Sequence, residues 1–220
     1  AYEMTASLVG SEMCIRDRPS TVQEAIDLTY KAFYLALKYR NPVMLLADGI
    51  LGQMMEPAEF GEYPYKDPDV SEWALSGADN RPARNIVSLH MPEGAMEELT
   101  NRIFEKYELA AKNDTMYESY KLEDAKLVLT AFGTVGRVAK AAVDRAREQG
   151  MKVGLFRPIT LCPFPDKALN ETAQKADMIL DAAGIPSLIN QNLKLVKNFG
   201  DVCVYGETAK SCLLYTSPSP

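Results

Sequence analysis

One strand–helix–strand unit constrains the fold of this chain more than any other feature. Residues 126–132 form a short run of apolar and β-forming side chains, and small and apolar residues recur at helical spacing from Arg137 onward. Gly150 follows this helix as a terminating glycine, and residues 153–156 form a second apolar run. A strand, a helix and a strand in so short a stretch predict a right-handed crossover between parallel strands.

The segment after the second strand, residues 157–165, contains three prolines. Proline fixes the backbone and lacks an N–H, so we expect a stiff loop here rather than a helix or a central strand. Loops at the carboxyl ends of parallel strands commonly contact ligands and partners. Arg157, Thr160 and Phe164 are therefore candidates for an interface or for the neighbourhood of a site. The alternative is that Leu161 and Phe164 fill the core of their own domain.

The turn before the first helix is a second candidate site. Gly133, Thr134 and Gly136 open a helix, and the free N–H groups at such a start favour an anion. We therefore name them as phosphate-type turn residues, with Thr134 as the expected N-cap. The turn lacks the full Gly-x-Gly-x-x-Gly pattern of dinucleotide-binding proteins, so a tight strand-to-helix connection is the preferred interpretation and an anion site the alternative.

Two phrases carry a resemblance to a known family. Ala-Phe-Gly-Thr-x-Gly-Arg at 131–137, with Gly-Leu-x-Arg-Pro-Ile-Thr-Leu-x-Pro-Phe-Pro at 154–165, is similar to the second domain of the α subunit of 2-oxoacid:ferredoxin oxidoreductases. Asn-Pro-Val-Met-Leu-Leu-x-Asp-Gly-x-Leu-Gly-Gln-Met-Met-Glu-Pro at 41–57 resembles the end of the first domain, the pyrimidine-binding module for thiamine diphosphate. The form of residues 52–57 is most similar to the branched-chain members, which act on 3-methyl-2-oxobutanoate.

The resemblance implies a piece of an enzyme. Such enzymes decarboxylate a 2-oxoacid on thiamine diphosphate, pass electrons through iron–sulfur clusters to ferredoxin and transfer the acyl group to coenzyme A. It implies a cytoplasmic hetero-oligomer of anaerobic metabolism with β and γ/δ partner subunits. The alternatives are an α subunit that acts on 2-oxoglutarate and a stand-alone nucleotide- or phosphate-binding α/β module.

The resemblance also implies where the cofactor is held. The glutamate that activates the aminopyrimidine lies upstream of Pro19, and the diphosphate with its magnesium belongs to the β subunit. We therefore assign no catalytic, cofactor-binding or metal-binding residue to this chain, and expect it to be inactive by itself. Gln53 joins the interface candidates.

The two ends resemble a translated transposase sequencing adapter. Codons for residues 12–18, written GAG-ATG-TGT-ATA-AGA-GAC-AG, read on the opposite strand as Cys-Leu-Leu-Tyr-Thr-Ser, the sequence of residues 212–217. We therefore expect disorder at 1–18 and 211–220. Between them the expected α/β parts are the end of a pyrimidine-binding domain at 19–57, a linker with a long helix at 58–121, and a parallel domain like the transketolase C-terminal domain at 122–210.

Finer patterns predict further elements. Ser20 and Gln23 suggest a capping box for the first helix. The expected helices are 19–40, 92–113, 166–176 and 186–198. The expected strands outside the central unit are 42–47, 178–180 and 202–205, whereas 114–124 reads as a polar lead-in.

Composition excludes several functions. A net charge of −6 disfavours nucleic-acid binding, and no apolar run approaches the ~18 residues of a membrane span. Outside the two adapter-like ends the cysteines are Cys162 and Cys203, without a Cys-x-x-Cys pair, which argues against a disulfide framework and a metal or iron–sulfur site. His90 is the only histidine, so a histidine-based mechanism is not expected.

Overall fold

The computed structural model describes residues 14–84 and 91–182 and the backbone of 201–204. The strands are β1 (Ile15–Asp17), β2 (Val43–Leu45), β3 (Tyr117–Tyr120), β4 (Leu127–Thr130), β5 (Val153–Pro158), β6 (Thr160–Cys162), β7 (Met178–Asp181) and β8 (Asp201–Val204). The helices are α1 (Val22–Tyr39), α2 (Ala95–Asn113), α3 (Gly133–Glu148) and α4 (Asp166–Ala173). His90, the expected helix 186–198 and the ends 1–13 and 211–220 lie outside the described residues. Among the described helices, none has the length and hydropathy of a membrane span.

The larger sheet has the strand order β3-β5-β4-β7-β8. Strands β4, β5, β7 and β8 run parallel, which confirms the predicted parallel α/β arrangement. Strand β3 is antiparallel to β5 and occupies the edge. The expectation of a lead-in without a strand was wrong here, because an edge strand needs only alternate residues half-buried and therefore carries little apolar signal.

Both faces of this sheet are covered. All six residues of β5 are buried or nearly so, as expected of a central strand between two layers. On one face, Ala139 and Val143 of α3 pack with Leu155. On the other, Leu169 of α4 packs with Phe156.

The smaller sheet has the order β2-β1-β6, with β1 parallel to β2 and antiparallel to β6. The expectation of a strand-free loop at 157–165 was wrong, because Thr160–Cys162 pairs at a sheet edge, where flanking prolines are tolerated. The expectation of disorder at 1–18 was wrong for 15–18. Ile15 is only 2% exposed and packs with Leu35 of α1.

The starts of two helices differ from the predicted caps. The Thr21 hydroxyl accepts a hydrogen bond from the Glu24 N–H at 3.1 Å, and the Glu24 carboxylate accepts one from the Ser20 N–H at 2.7 Å. The capping residues of α1 are therefore Thr21 and Glu24, not Ser20 and Gln23. Helix α3 already begins at Gly133, which places Thr134 inside the first turn rather than at the N-cap.

Candidate functional site

The start of α3 is in contact with the turn that leaves β2. The Asp48 carboxylate accepts hydrogen bonds from the Thr134 N–H at 2.8 Å and from the Thr134 hydroxyl at 2.7 Å. Gly133 has a φ of +56°, and a Cβ at this position would lie 2.6 Å from Asp48 Oδ2, so glycine is needed for both conformation and space. A carboxylate is well placed at a helix N-terminus because the helix dipole and the free N–H groups favour negative charge. The anion at this turn is thus a side chain of the same chain.

Arg18 completes the cluster around Asp48. Its guanidinium forms an ion pair with the Asp48 carboxylate and lies 4.5 Å from the centre of the Phe132 ring. Burial by itself raises the pKa of Asp48, but the hydrogen bonds from Thr134 and the charge of Arg18 outweigh it and hold that pKa below its ordinary value. Asp48 therefore remains ionised at neutral pH.

A second contact joins the same two parts of the chain. Glu56 forms an ion pair with Arg137 in the first turn of α3, and it accepts a hydrogen bond from the Val22 N–H at 3.1 Å. The backbone donor and Arg137 together lower the pKa of Glu56. Residues 48–56 are thus fixed at both ends against α3. Between these contacts Gln53, our interface candidate, is exposed to solvent.

Arg157 makes the most buried contact of this region. The residue is 6% exposed, and its guanidinium donates to both Glu24 carboxylate oxygens at 2.7 and 3.0 Å and to Glu118 at 2.9 Å. Glu118 is also paired with Lys140. A Cβ on Gly136 would lie 2.8 Å from Arg157 Cδ, so this glycine leaves room for the arginine stem. Arg157 therefore links the end of β5 with the start of α1, as expected if the proline-rich segment docks against the first domain.

Charge pairing explains the ionisation of this contact. Burial raises the pKa of Glu24, but the hydrogen bonds from Arg157 and Ser20 outweigh it and leave the pKa below its usual value. Burial acts to lower the pKa of Arg157, and its two carboxylate partners more than compensate. Buried charges are tolerated when they are paired and hydrogen-bonded in this way. We call the set of Asp48, Glu56 and Arg157 contacts the junction.

The other two candidates from the proline-rich segment, one buried and one partly buried, pack within this chain. Thr160 is fully buried in β6, and its hydroxyl accepts a hydrogen bond from the Met116 N–H at 3.2 Å. Phe164 packs against the core cluster that contains Phe156 and Leu169. For Phe164 the packing matches the core alternative, and neither residue joins Arg157 at the junction.

Sequence reasoning missed the acidic half of the junction. None of Asp48, Glu24 and Glu56 is named as a candidate from the sequence. Their signal is weak, because isolated acidic residues are most often solvated. No local pattern in the sequence marks them, because their basic or backbone partners lie far along the chain.

The described residues do not fit a diphosphate with a metal ion. Within them, no three histidine, cysteine, aspartate or glutamate side chains converge as a metal site would require. The one helix start that the sequence offered to a phosphate, at Gly133, contacts the Asp48 carboxylate instead. We therefore derive no catalytic step from these residues.

Comparison with known proteins identifies the family. The family described as pyruvate flavodoxin/ferredoxin oxidoreductase, thiamine diphosphate-binding, matches residues 6–118, and the one described as pyruvate:ferredoxin oxidoreductase core domain II matches 125–188. The chain belongs to the pyruvate flavodoxin/ferredoxin oxidoreductase family. The first match begins within the segment that resembles an adapter.

Relatives of this oxidoreductase-family chain are longer. It is 41% identical over 184 residues to the ketoisovalerate oxidoreductase subunit VorB of Methanothermobacter marburgensis, covering 84% of this chain and 52% of the relative. It is 31% identical over 183 residues to the 2-oxoglutarate synthase subunit KorA of Methanocaldococcus jannaschii, covering 71% and 49%. The chain thus spans about half the length of the curated relatives it matches.

A solved structure shares the fold of this family member. A 2-oxoglutarate:ferredoxin oxidoreductase from Magnetococcus marinus matches with a TM-score of 0.66 at 18% sequence identity, over 88% of this chain and 39% of that one. This likeness supports the α/β fold described above.

Proposed function

We propose that this chain is part of the α subunit of a thiamine-diphosphate-dependent 2-oxoacid:ferredoxin oxidoreductase that acts on 3-methyl-2-oxobutanoate. The observation that carries the proposal is the 41% identity to a ketoisovalerate oxidoreductase subunit, the same oxoacid under another name, against 31% to a 2-oxoglutarate synthase subunit. The reaction forms an acyl-coenzyme A and reduces ferredoxin. It takes place in a cytoplasmic complex with β and γ/δ subunits.

In this proposal the chain has a positioning role in the complex and takes no part in the chemical reaction itself. Thiamine diphosphate, when bound by the complete complex with its magnesium, supplies the carbanion chemistry of decarboxylation. Iron–sulfur clusters and coenzyme A are held by the partner subunits or by the assembled complex. The junction fixes residues 48–56 from both ends, so Gln53 and Met55, which is 99% exposed, are presented on a rigid segment. We assign this segment to the contact with a partner subunit.

A hybrid subunit tests the substrate. Residues 19–204 would replace the matching half of the VorB subunit of M. marburgensis, and the hybrid would be co-produced with the partner subunits of that relative. Coenzyme-A-dependent reduction of a viologen dye is measured with 3-methyl-2-oxobutanoate, 2-oxoglutarate and pyruvate. We expect the highest kcat/KM with 3-methyl-2-oxobutanoate.

Two controls define the outcome. A second hybrid, carrying the matching half of a KorA subunit, shows whether this half influences the choice of oxoacid. The present chain without partners should give no turnover, and any activity above the blank would refute its assignment as part of a subunit. An assembled hybrid that prefers 2-oxoglutarate would refute the substrate.

A further inference from the structure

A groove of about 800 Å³ lies between α2 and the connector that follows residue 57. The residues that line the groove are different from those that form the junction, the set of Asp48, Glu56 and Arg157 contacts. Four cationic side chains line it, together with one indole ring and an aliphatic wall that includes Ile103; the cations are Arg40, Arg84, Arg102 and Lys106. Its volume falls within the range of small-molecule sites.

The charge in the groove is unbalanced. Among the residues that the structure describes, the salt bridges do not include any of the four cations. Glu72 and Glu105 also line the groove, yet neither pairs with them. A net positive groove on a chain of net charge −6 is a local concentration of cations. Such a surface attracts anions.

The positive charge of Lys106 also has no negatively charged hydrogen-bond partner among the described residues. Its ammonium group donates to the Arg40 carbonyl at 3.3 Å and to Asn41 Oδ1 at 3.4 Å, both neutral acceptors. Partial burial lowers the pKa of Lys106, and the neighbouring charge of Arg40 adds to this effect. A bound anion would supply the missing countercharge and raise the pKa of Lys106 again.

Trp73 gives the groove an aromatic surface. Its ring is half-buried, and the Arg40 guanidinium lies 5.1 Å from the ring centre. Indole rings stack on flat aromatic groups, and guanidinium groups bind phosphate oxygens through paired hydrogen bonds. The Arg40 guanidinium lies over one face of the indole, so a flat base would stack on the opposite face.

We propose that this groove binds a nucleotide-type polyanion, with the base against Trp73 and the aliphatic wall and the phosphates among Arg40, Arg102 and Lys106. The proposal is independent of the oxidoreductase activity, since it rests on the lining of the groove alone. It differs from the phosphate-type turn at Gly133, whose place for an anion is taken by Asp48.

The single tryptophan makes the test direct, because Trp73 is the only one in the chain. Its fluorescence is followed while ADP is added to the whole chain, and adenosine and inorganic pyrophosphate serve as the two half-ligands. We expect saturable quenching by ADP that weakens as salt is raised, with both half-ligands binding less tightly. Isothermal titration calorimetry provides the same affinity without the optical signal.

Variants distinguish ADP binding in the groove from non-specific electrostatic attraction of ADP to the chain. Arg102→Gln and Lys106→Met should each weaken ADP binding about fivefold, as expected when one partly exposed charged contact is lost. Lys112→Ala removes the same charge from an exposed position of α2 outside the groove and should leave the affinity unchanged. Arg102 is exposed, so its variant should keep the fold, which circular dichroism checks.

Three results would overturn the proposal. The first is the absence of saturable ADP binding by both methods. The second is an equal loss of affinity in Lys112→Ala, which would indicate only general charge attraction. The third is pyrophosphate binding as tight as that of ADP, which would exclude recognition of the base.

Discussion

Replacing Asp17 by asparagine should stabilise this chain at neutral pH and have little effect in acid. Asp17 lies in β1, the central strand of the smaller sheet, and is only 1% exposed. Burial raises the pKa of its carboxyl from 3.8 to about 6. The Thr160 hydroxyl and the charge of Lys31 act in the opposite direction but do not cancel the burial, and Asp114 adds to it.

The size of the effect follows from the two pKa values. Each pH unit between them corresponds to about 1.36 kcal/mol, so the ionised carboxylate costs about 3 kcal/mol of the free energy of unfolding. Because the folded pKa is the higher one, the stabilising contribution is fully present below pH 3.8 and is lost as the pH rises through about 6. Asparagine has nearly the same shape and carries no charge. At pH 7.5 the variant should therefore gain up to about 3 kcal/mol, and at pH 4, close to the unfolded pKa of 3.8, only about 0.5 kcal/mol.

Urea unfolding, followed by far-ultraviolet circular dichroism between pH 4 and 8, measures this difference. Asp79→Asn is the matched control, because Asp79 lies exposed in the connector and its replacement should not change stability at any pH. An Asp17→Asn variant that is no more stable than the parent at pH 7.5 would refute the reasoning. A gain that does not depend on pH would refute it too, since it would then arise from packing and not from ionisation.

Two further predictions concern the junction. Arg157→Ala should lower the free energy of unfolding of the isolated chain by about 3 kcal/mol, because it leaves the partly buried Glu24 carboxylate without its cation and removes one of the two cations beside Glu118. A loss in chemical denaturation below about 1 kcal/mol would contradict this. Gly133→Ala should destabilise the chain more than Gly150→Ala in the same assay. Both glycines have positive φ, but only Gly133 has a neighbour, the Asp48 carboxylate, within 4 Å of the added Cβ, so equal losses would show that this contact is unimportant.

The parallel strands of the larger sheet were predictable because their signal is local. Apolar runs at β4 and β5, with a helical pattern between them, require no knowledge of distant residues. The smaller sheet was not predictable in this way. Arg16 of β1 pairs with Cys162 of β6, and neither strand has an apolar run or an alternating pattern that marks it. Their pairing depends on the folded arrangement of segments far apart in the chain.

The junction was predictable in part for the same reason. Gly133 and Gly136 stand out in the sequence because two glycines flank the start of a helix. What they accommodate does not stand out, since Asp48 lies 86 residues before Thr134 and Arg157 reaches Glu24 across 133 residues. In a chain with 24 basic and 30 acidic residues, each charged side chain has many possible ion-pair partners at such separations. Only the folded chain selects among them.

The order of strands in the smaller sheet has a consequence for synthesis. During translation β1 and β2 leave the ribosome well before β6, yet β6 covers the second edge of β1. Until then β1 presents an open row of backbone donors and acceptors, the kind of edge that recruits strands from other nascent chains. A boundary drawn at residue 118, where the first family match ends, would make that exposure permanent. The two regions matched by separate family descriptions therefore contribute strands to one sheet.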